Sequence, residues 1–183
     1  FQPSHDGHRA MVETIIEEVD ELVVGVGSAD ASHTTKNPFT GGERVTMITK
    51  ALDDLDLPVY VVPIEDVDRN AIWVNHIRSM APAFDVAYSN NPLVVQLFEE
   101  AGIEVRQSRM FERDRLEGTD IREGMLVGDA WTDRVPDAVA EVIDEINGVQ
   151  RLQTVAKDDV AERWEAGDGS NGDRDDGSNG DRD

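Results

Sequence analysis

The feature that most limits the fold is an alternation of short apolar, β-branched runs with stretches whose apolar residues recur every three or four positions. Met11, Val12, Ile15, Ile16 and Val19 recur at helical spacing, and the run Leu22-Val23-Val24-Gly25-Val26-Gly27 follows directly. Val45, Ile48, Leu52 and Leu55 form a second stripe, followed by Val59-Tyr60-Val61-Val62 between Pro58 and Pro63. The same spacing predicts helices over 71–80 and from Pro92 through Glu100, with strands over 85–88 and near Val105. Near-continuous apolar strands alternating with amphipathic helices predict a parallel sheet covered on both faces, an α/β, doubly wound fold. The series opens on a helix, whereas a βαβ unit opens on a strand, so a first strand is expected to be missing from this chain.

Charge narrows the partners. The 183 residues carry 17 Lys+Arg against 39 Asp+Glu, a formal charge of -22. Nucleic-acid binding draws its affinity from basic side chains that neutralise phosphates, so a surface this acidic excludes DNA and RNA as main ligands. Only Lys36, Lys50 and Lys157 are lysines; the other fourteen cations are arginines. An acid-rich, lysine-poor surface suits concentrated salt, where repulsion is screened within ~3 Å, and it predicts a halophilic origin. The absence of cysteine excludes disulfide scaffolds, thiolate nucleophiles and zinc fingers. No apolar run approaches the ~18 residues of a membrane span, and no leader pattern opens the chain, so no membrane partner and a cytoplasmic location are expected.

Composition also divides the chain. The sequence DGSNGDRD occupies 168–175 and repeats without change at 176–183, offering nothing apolar to bury. One domain with C-terminal helices is therefore expected over 1–165, and an acidic disordered repeat tail over 166–183. Trp131 and Trp164 are read as packing residues.

Two clusters carry chemistry. His5-Asp6-Gly7-His8 stands where the first helical stripe begins, so both imidazoles lie at a helix N-terminus with its unpaired N–H groups and positive dipole end. Such a pair can bind phosphate, cap the helix, or hold a metal; no third ligand lies nearby in sequence, and only His33 and His76 remain elsewhere. The second cluster is Glu117-Gly118-Thr119-Asp120-Ile121-Arg122. Gly118 and Thr119 offer a small residue and an N-cap hydroxyl, and Arg122 projects from the same first turn. Hydroxyl, N–H groups and guanidinium suit a polyphosphate, although a plain capped helix would use the same Thr119.

Taken together the clusters resemble a known family. His5-Asp6-Gly7-His8 matches the HxGH signature of nucleotidylyltransferases, and Gly118-Thr119-Asp120-Ile121-Arg122 is similar to their C-terminal S/T-x-x-R signature. Phe1-Gln2-Pro3, Gly27-Ser28-Ala29, Ser32-His33, Asn37-Pro38-Phe39-Thr40, Gly42-Glu43-Arg44, Asn70-Ala71-Ile72-Trp73 and Ser89-Asn90-Asn91-Pro92-Leu93 resemble one branch, the archaeal-type nicotinamide-nucleotide adenylyltransferases. The resemblance runs in order from Phe1 to about Val155. It implies a Rossmann-like fold and transfer of AMP from ATP to nicotinamide mononucleotide, giving NAD and pyrophosphate, with Mg²⁺ on the phosphates and no metal held by the protein itself.

By the same resemblance the catalytic groups are His5, His8 and Arg122: the two histidines contact ATP phosphates, His8 in the transition state, and Arg122 holds the β and γ phosphates with Thr119, while Gly118 and Arg44 also bind phosphate. Trp73, Asn70 and Asp66 would meet the nicotinamide end of the acceptor. Trp73 also shares a stripe with Ile77 and Met80, which reads equally as core. The family is commonly a hexamer, so a homo-oligomer is implied. A related HxGH transferase with another phosphorylated acceptor, or a nucleotide-binding regulator without turnover, is the alternative. Thr40-Gly41-Gly42-Glu43 reads as a capping box that starts the helix carrying Arg44.

Overall fold

The structure is a computed structural model that describes residues 1–107 and 117–168, the stretch from 160 onward as backbone only. The expected repeat tail beyond Asp168 and the Trp164 side chain lie outside the described residues.

Helices and strands alternate as the patterning predicts. In order they are α1 (Asp6–Ile15), β1 (Leu22–Val26), α2 (Gly41–Ala51), β2 (Val59–Pro63), α3 (Asn70–Met80), β3 (Val86–Tyr88), α4 (Pro92–Glu100) and β4 (Glu104–Arg106), then the helices α5 (Gly118–Val127), α6 (Asp137–Glu145) and α7 (Gly148–Asp168). Helix α7 thus runs three residues past the expected boundary at 165. Among the described residues no strand precedes α1, and four strands divide into two parallel ladders rather than one continuous sheet. In the first, Leu22 faces Val59 and Val26 faces Pro63; in the second, Val86 faces Glu104 and Tyr88 faces Arg106.

Local sequence explains the element starts. The capping box at α2 forms in both directions: Glu43 N–H donates to Thr40 Oγ1 at 3.2 Å, and Thr40 N–H donates to Glu43 Oε2 at 2.9 Å. Asn91 caps α4 by accepting from Leu93 N–H at 3.0 Å, with Pro92 at the first helical position, where its missing N–H costs nothing.

Packing falls into three clusters. The stripe Val12 and Ile15 of α1 meets Val24 and Val26 of β1 and Ile48 of α2. Phe39, Met47, Ile121, Met125, Val139, Ile143 and Leu152 join the loop after β1 to α2, α5, α6 and α7. Val74, Ala87, Phe98 and Ile103 hold α3 and α4 on the second ladder, with Trp73 at the margin. Trp131 flanks the second of these clusters, as its reading as a packing residue anticipates. The second cluster is the one that matters for the site, because it fixes the chain segment 27–40 and α5 on a common support.

Two close approaches tie that support together. A Cβ on Gly41, the first residue of α2, would lie 2.7 Å from the Ala29 carbonyl, so the helix start presses against the segment leaving β1. A Cβ on Gly148 would lie 2.8 Å from the Phe39 ring and 3.1 Å from Ile143.

Candidate active site

Both histidines stand at the start of α1. His5 is the N-cap residue with extended backbone, and His8 is the third helical residue. Their ring centroids are 3.7 Å apart, and Phe1 stacks on the other side of His8 at 4.2 Å. His5 N–H donates to His8 Nδ1 at 3.3 Å. Acceptance by Nδ1 places the proton of neutral His8 on Nε2, which is thereby left as a donor. Burial pushes His5 down to about 4 and His8 well below the usual imidazole value, so both rings are uncharged near neutrality. His5 Nδ1 is buried without a partner among the described residues. An orphaned polar atom of that kind marks a place where a ligand or water completes the bonding.

The second cluster meets the first across the chain. Helix α5 begins at Gly118, so Thr119 is not its N-cap as the sequence suggested. The N-cap position belongs to Glu117, which makes no side-chain cap bond, and Thr119 lies one residue inside the helix. What Thr119 holds instead is the guanidinium one turn on: Arg122 Nη2 donates to Thr119 Oγ1 at 3.2 Å. Arg122 Nη1 donates to the Gln2 carbonyl at 2.8 Å and Nε to the Thr35 carbonyl at 3.0 Å. A Cβ on Gly118 would lie 3.2 Å from the same Gln2 carbonyl, so the start of α5 rests on the segment leading into α1. Gln2 is fixed in turn: its side chain donates to the Phe39 carbonyl and accepts from Phe39 N–H, each at 3.2 Å. Two helix N-termini, two imidazoles and a guanidinium are thus gathered on one short peptide, Phe1-Gln2-Pro3-Ser4.

Arg44 belongs to this region and is bound to the main chain at the end of β1. Its side chain is 3% exposed, and it donates from Nη1 to the Gly27 carbonyl at 2.9 Å and from Nη2 to the Ser28 carbonyl at 2.7 Å. It fixes the exit of β1, where Ser28 adopts a left-handed backbone with φ 51°. Its Nε is buried and has no partner among the described residues. Asp66 accepts from Ser28 N–H at 3.2 Å, which places the loop after β2 beside the same exit, and its charge acts on Arg44. Asn70 opens α3 and is exposed. Trp73 is half-buried, its ring edge-on to Phe98 at 5.3 Å and 64°. The core reading of Trp73 therefore has a partner on α4, and the ring keeps an exposed part.

Known proteins resemble this chain in sequence. A family model described as cytidylyltransferase-like matches residues 1–124. Proteins named nicotinamide-nucleotide adenylyltransferase match almost end to end: that of Haloarcula marismortui is 66% identical over 91% of this chain and 88% of its own length. The chain belongs to the cytidylyltransferase-like family, in its nicotinamide-nucleotide adenylyltransferase branch. The Halorubrum lacusprofundi member is 62% identical over 87% of this chain and 90% of its own, and that of Methanoculleus marisnigri 58% over 87% and 95%. Relatives from halophilic archaea accord with the lysine-poor, acidic surface.

The fold is shared more widely than the sequence. A bifunctional NMN adenylyltransferase/ADP ribose pyrophosphatase of Francisella tularensis, solved with AMP and a Mn ion, superposes with a TM-score of 0.69 at 17% identity. The match takes in 91% of this adenylyltransferase-family chain and 52% of that one, so the chain spans about half the length of the bifunctional protein.

Some residues of the site escaped the sequence reading. Gln2 and Thr35 supply backbone carbonyls to Arg122, and main-chain acceptors leave no residue-type signal. Arg151 of α7 binds Glu43 through both carboxylate oxygens at 2.7 and 2.8 Å, holding the capping box from 108 positions away. Among the described residues no helix is long and apolar enough to cross a membrane.

Proposed function

We infer that this chain transfers AMP from ATP to nicotinamide mononucleotide, giving NAD and pyrophosphate. Family membership supports the reaction, and one observation carries the assignment of residues: Arg122 bridges the Gln2 carbonyl to Thr119, so the HxGH start and the GTDIR start serve one ligand. An oxygen of the mononucleotide 5′-phosphate attacks the α-phosphorus in line. The bond from that phosphorus to the bridging oxygen breaks, and pyrophosphate leaves with the electron pair.

The chain then works by position and charge rather than by a protein nucleophile. His8 donates from Nε2 to the transferring phosphoryl group, and His5 completes its own unpaired nitrogen there. The first-turn N–H groups of α5, with Gly118 and Thr119, receive the β and γ phosphates. Arg122 holds the same phosphates with the donors left over from its three protein bonds. Arg44 acts on phosphate by its charge and from beneath the β1 exit. Asp66, Asn70 and the exposed part of Trp73 meet the acceptor.

Mg²⁺ enters as the ATP complex. The resemblance further implies a hexamer in the cytoplasm, and light scattering in molar KCl reads the oligomer directly.

Formation of NAD from ATP and nicotinamide mononucleotide, followed by reduction with a coupled dehydrogenase in molar KCl, tests the function. Product that requires both substrates supports it. Product only with another phosphorylated acceptor would reassign the chain to a related transferase, and ATP binding without any turnover would make it a regulator.

A further inference from the structure

Helix α7 reaches the site through a short segment that the reaction as described does not mention. Residues Thr34 to Asn37 form a tight turn: Asn37 N–H donates to Thr34 Oγ1 at 2.9 Å, and Thr34 N–H donates to the Asn37 carbonyl at 3.2 Å. Cross-linked in this way, the turn moves as a unit. On one side it presents the Thr35 carbonyl to Arg122 Nε at 3.0 Å. On the other, Thr35 Oγ1 donates to Asp159 Oδ2 of α7 at 2.7 Å, across 124 positions of sequence. The far end of the turn is also held by α7, since Arg151 Nη1 donates to the Pro38 carbonyl at 3.4 Å.

We propose that Asp159 is a positioning residue for adenylyl transfer, acting through Thr35 to aim the Arg122 guanidinium. The proposal rests on the functional reading above, in which Arg122 touches the triphosphate. Arg122 has five N–H donors in a rigid plane, and three are engaged by protein acceptors among the described residues. Those three bonds set the plane, and the plane sets where the remaining donors point. Gln2 is already held by its two bonds to Phe39, and Thr119 sits on α5, which is packed through Ile121 and Met125. Thr35 is the one acceptor on an exposed turn, so its place depends on what holds the turn from outside. The bond from Thr35 to Asp159 is charge-assisted, the stronger kind of hydrogen bond. Without it the Thr35 carbonyl drifts, and the guanidinium samples orientations that bind a ground-state triphosphate nearly as well but fit less closely the charge that builds on the departing pyrophosphate.

The test compares Asp159→Ala, Asp159→Asn and Thr35→Val in the full chain, each alone and in an Arg122→Ala background. The reading expects Asp159→Ala to lower kcat roughly tenfold while the KM for ATP stays within about threefold, because aim is lost rather than ground-state binding. Asp159→Asn keeps an acceptor oxygen for Thr35 and restores most of kcat. In the Arg122→Ala background Asp159→Ala brings no further loss, since nothing is left to aim.

An unchanged kcat in Asp159→Ala overturns the proposal, as does the same drop with and without Arg122; NAD formation by the unmutated chain shows in either case that the functional reading stands. A readout independent of turnover is the Arg122 Nε–H resonance of the ¹⁵N-labelled protein, which should exchange with water slowly in the unmutated chain and Asp159→Asn and faster in Asp159→Ala. Equal exchange in all three would overturn the proposal whether or not NAD forms.

Discussion

Burial of a neutral histidine makes stability depend on pH in a direction that can be worked out. His5 is 8% exposed, and burial lowers it from an ordinary 6.5 to about 4. In the unfolded chain the imidazole takes up a proton below about pH 6.5; in the folded chain it does not until about pH 4. Between those limits the unfolded state binds one more proton, so its contribution is fully present above 6.5 and is lost as the pH falls toward about 4. One proton corresponds to at most ~1.4 kcal/mol per pH unit, about 3 kcal/mol over the whole window.

His5→Asn removes the titration while keeping a polar side chain of similar reach. Urea unfolding at constant molar KCl, repeated from about pH 6.5 to about 5, where few carboxylates titrate, compares the two proteins. The unmutated chain should lose about 2 kcal/mol more than His5→Asn over that interval. The shared titration of His8 and of the carboxylates cancels in the difference. Parallel stability curves would refute the reasoning, because they would mean that His5 is as easily protonated folded as unfolded.

Three further outcomes follow from the packing and the charge. Arg44→Met takes from the Gly27 carbonyl its guanidinium donor and leaves the Ser28 carbonyl only the Ala31 N–H, and it should cost on the order of 2 kcal/mol by chemical denaturation, with Arg44→Lys recovering only part of it because one ammonium cannot span both oxygens in a fixed plane. Gly148→Ala should lower stability by roughly 1–3 kcal/mol, read as a drop in melting temperature, since the new methyl group meets the Phe39 ring and Ile143. With a formal charge of -22, the melting temperature should climb between low and molar KCl, and a flat profile would remove the halophilic reading.

Much of the architecture could be read from the sequence because it depends on local rules. The stripe that starts at Met11, the run that starts at Val59, and Thr40 with Glu43 each specify structure within one or two turns of chain, and each formed its element, although α1 stops at Ile15 short of Ile16 and Val19 and β2 takes in Pro63 as its last residue. The two-ladder division of the strands was not legible in the same way, because pairing is settled by which edges neighbour each other in space.

The site shows the same contrast. Two imidazoles at a helix start are visible as spacing. Thr119 looked like a cap because Gly-Thr often precedes a helix, yet the helix here takes in Gly118, and the hydroxyl goes to Arg122 instead. The turning of Arg44 onto two carbonyls, and the edge-on contact of Trp73 with Phe98, depend on neighbours far away in sequence. Carbonyl acceptors such as those of Gln2 and Thr35 belong to every residue type and so carry no signature at all.

The order of synthesis gives the α7 contacts a temporal meaning. Every strand, both histidines, Arg44 and Arg122 leave the ribosome before Arg151 and Asp159 do. A nascent chain that has reached Glu145 already owns each group that would touch substrate, but its Thr34–Asn37 turn has nothing to lean on from the far side. Competence would then arrive late and abruptly, when the last helix docks.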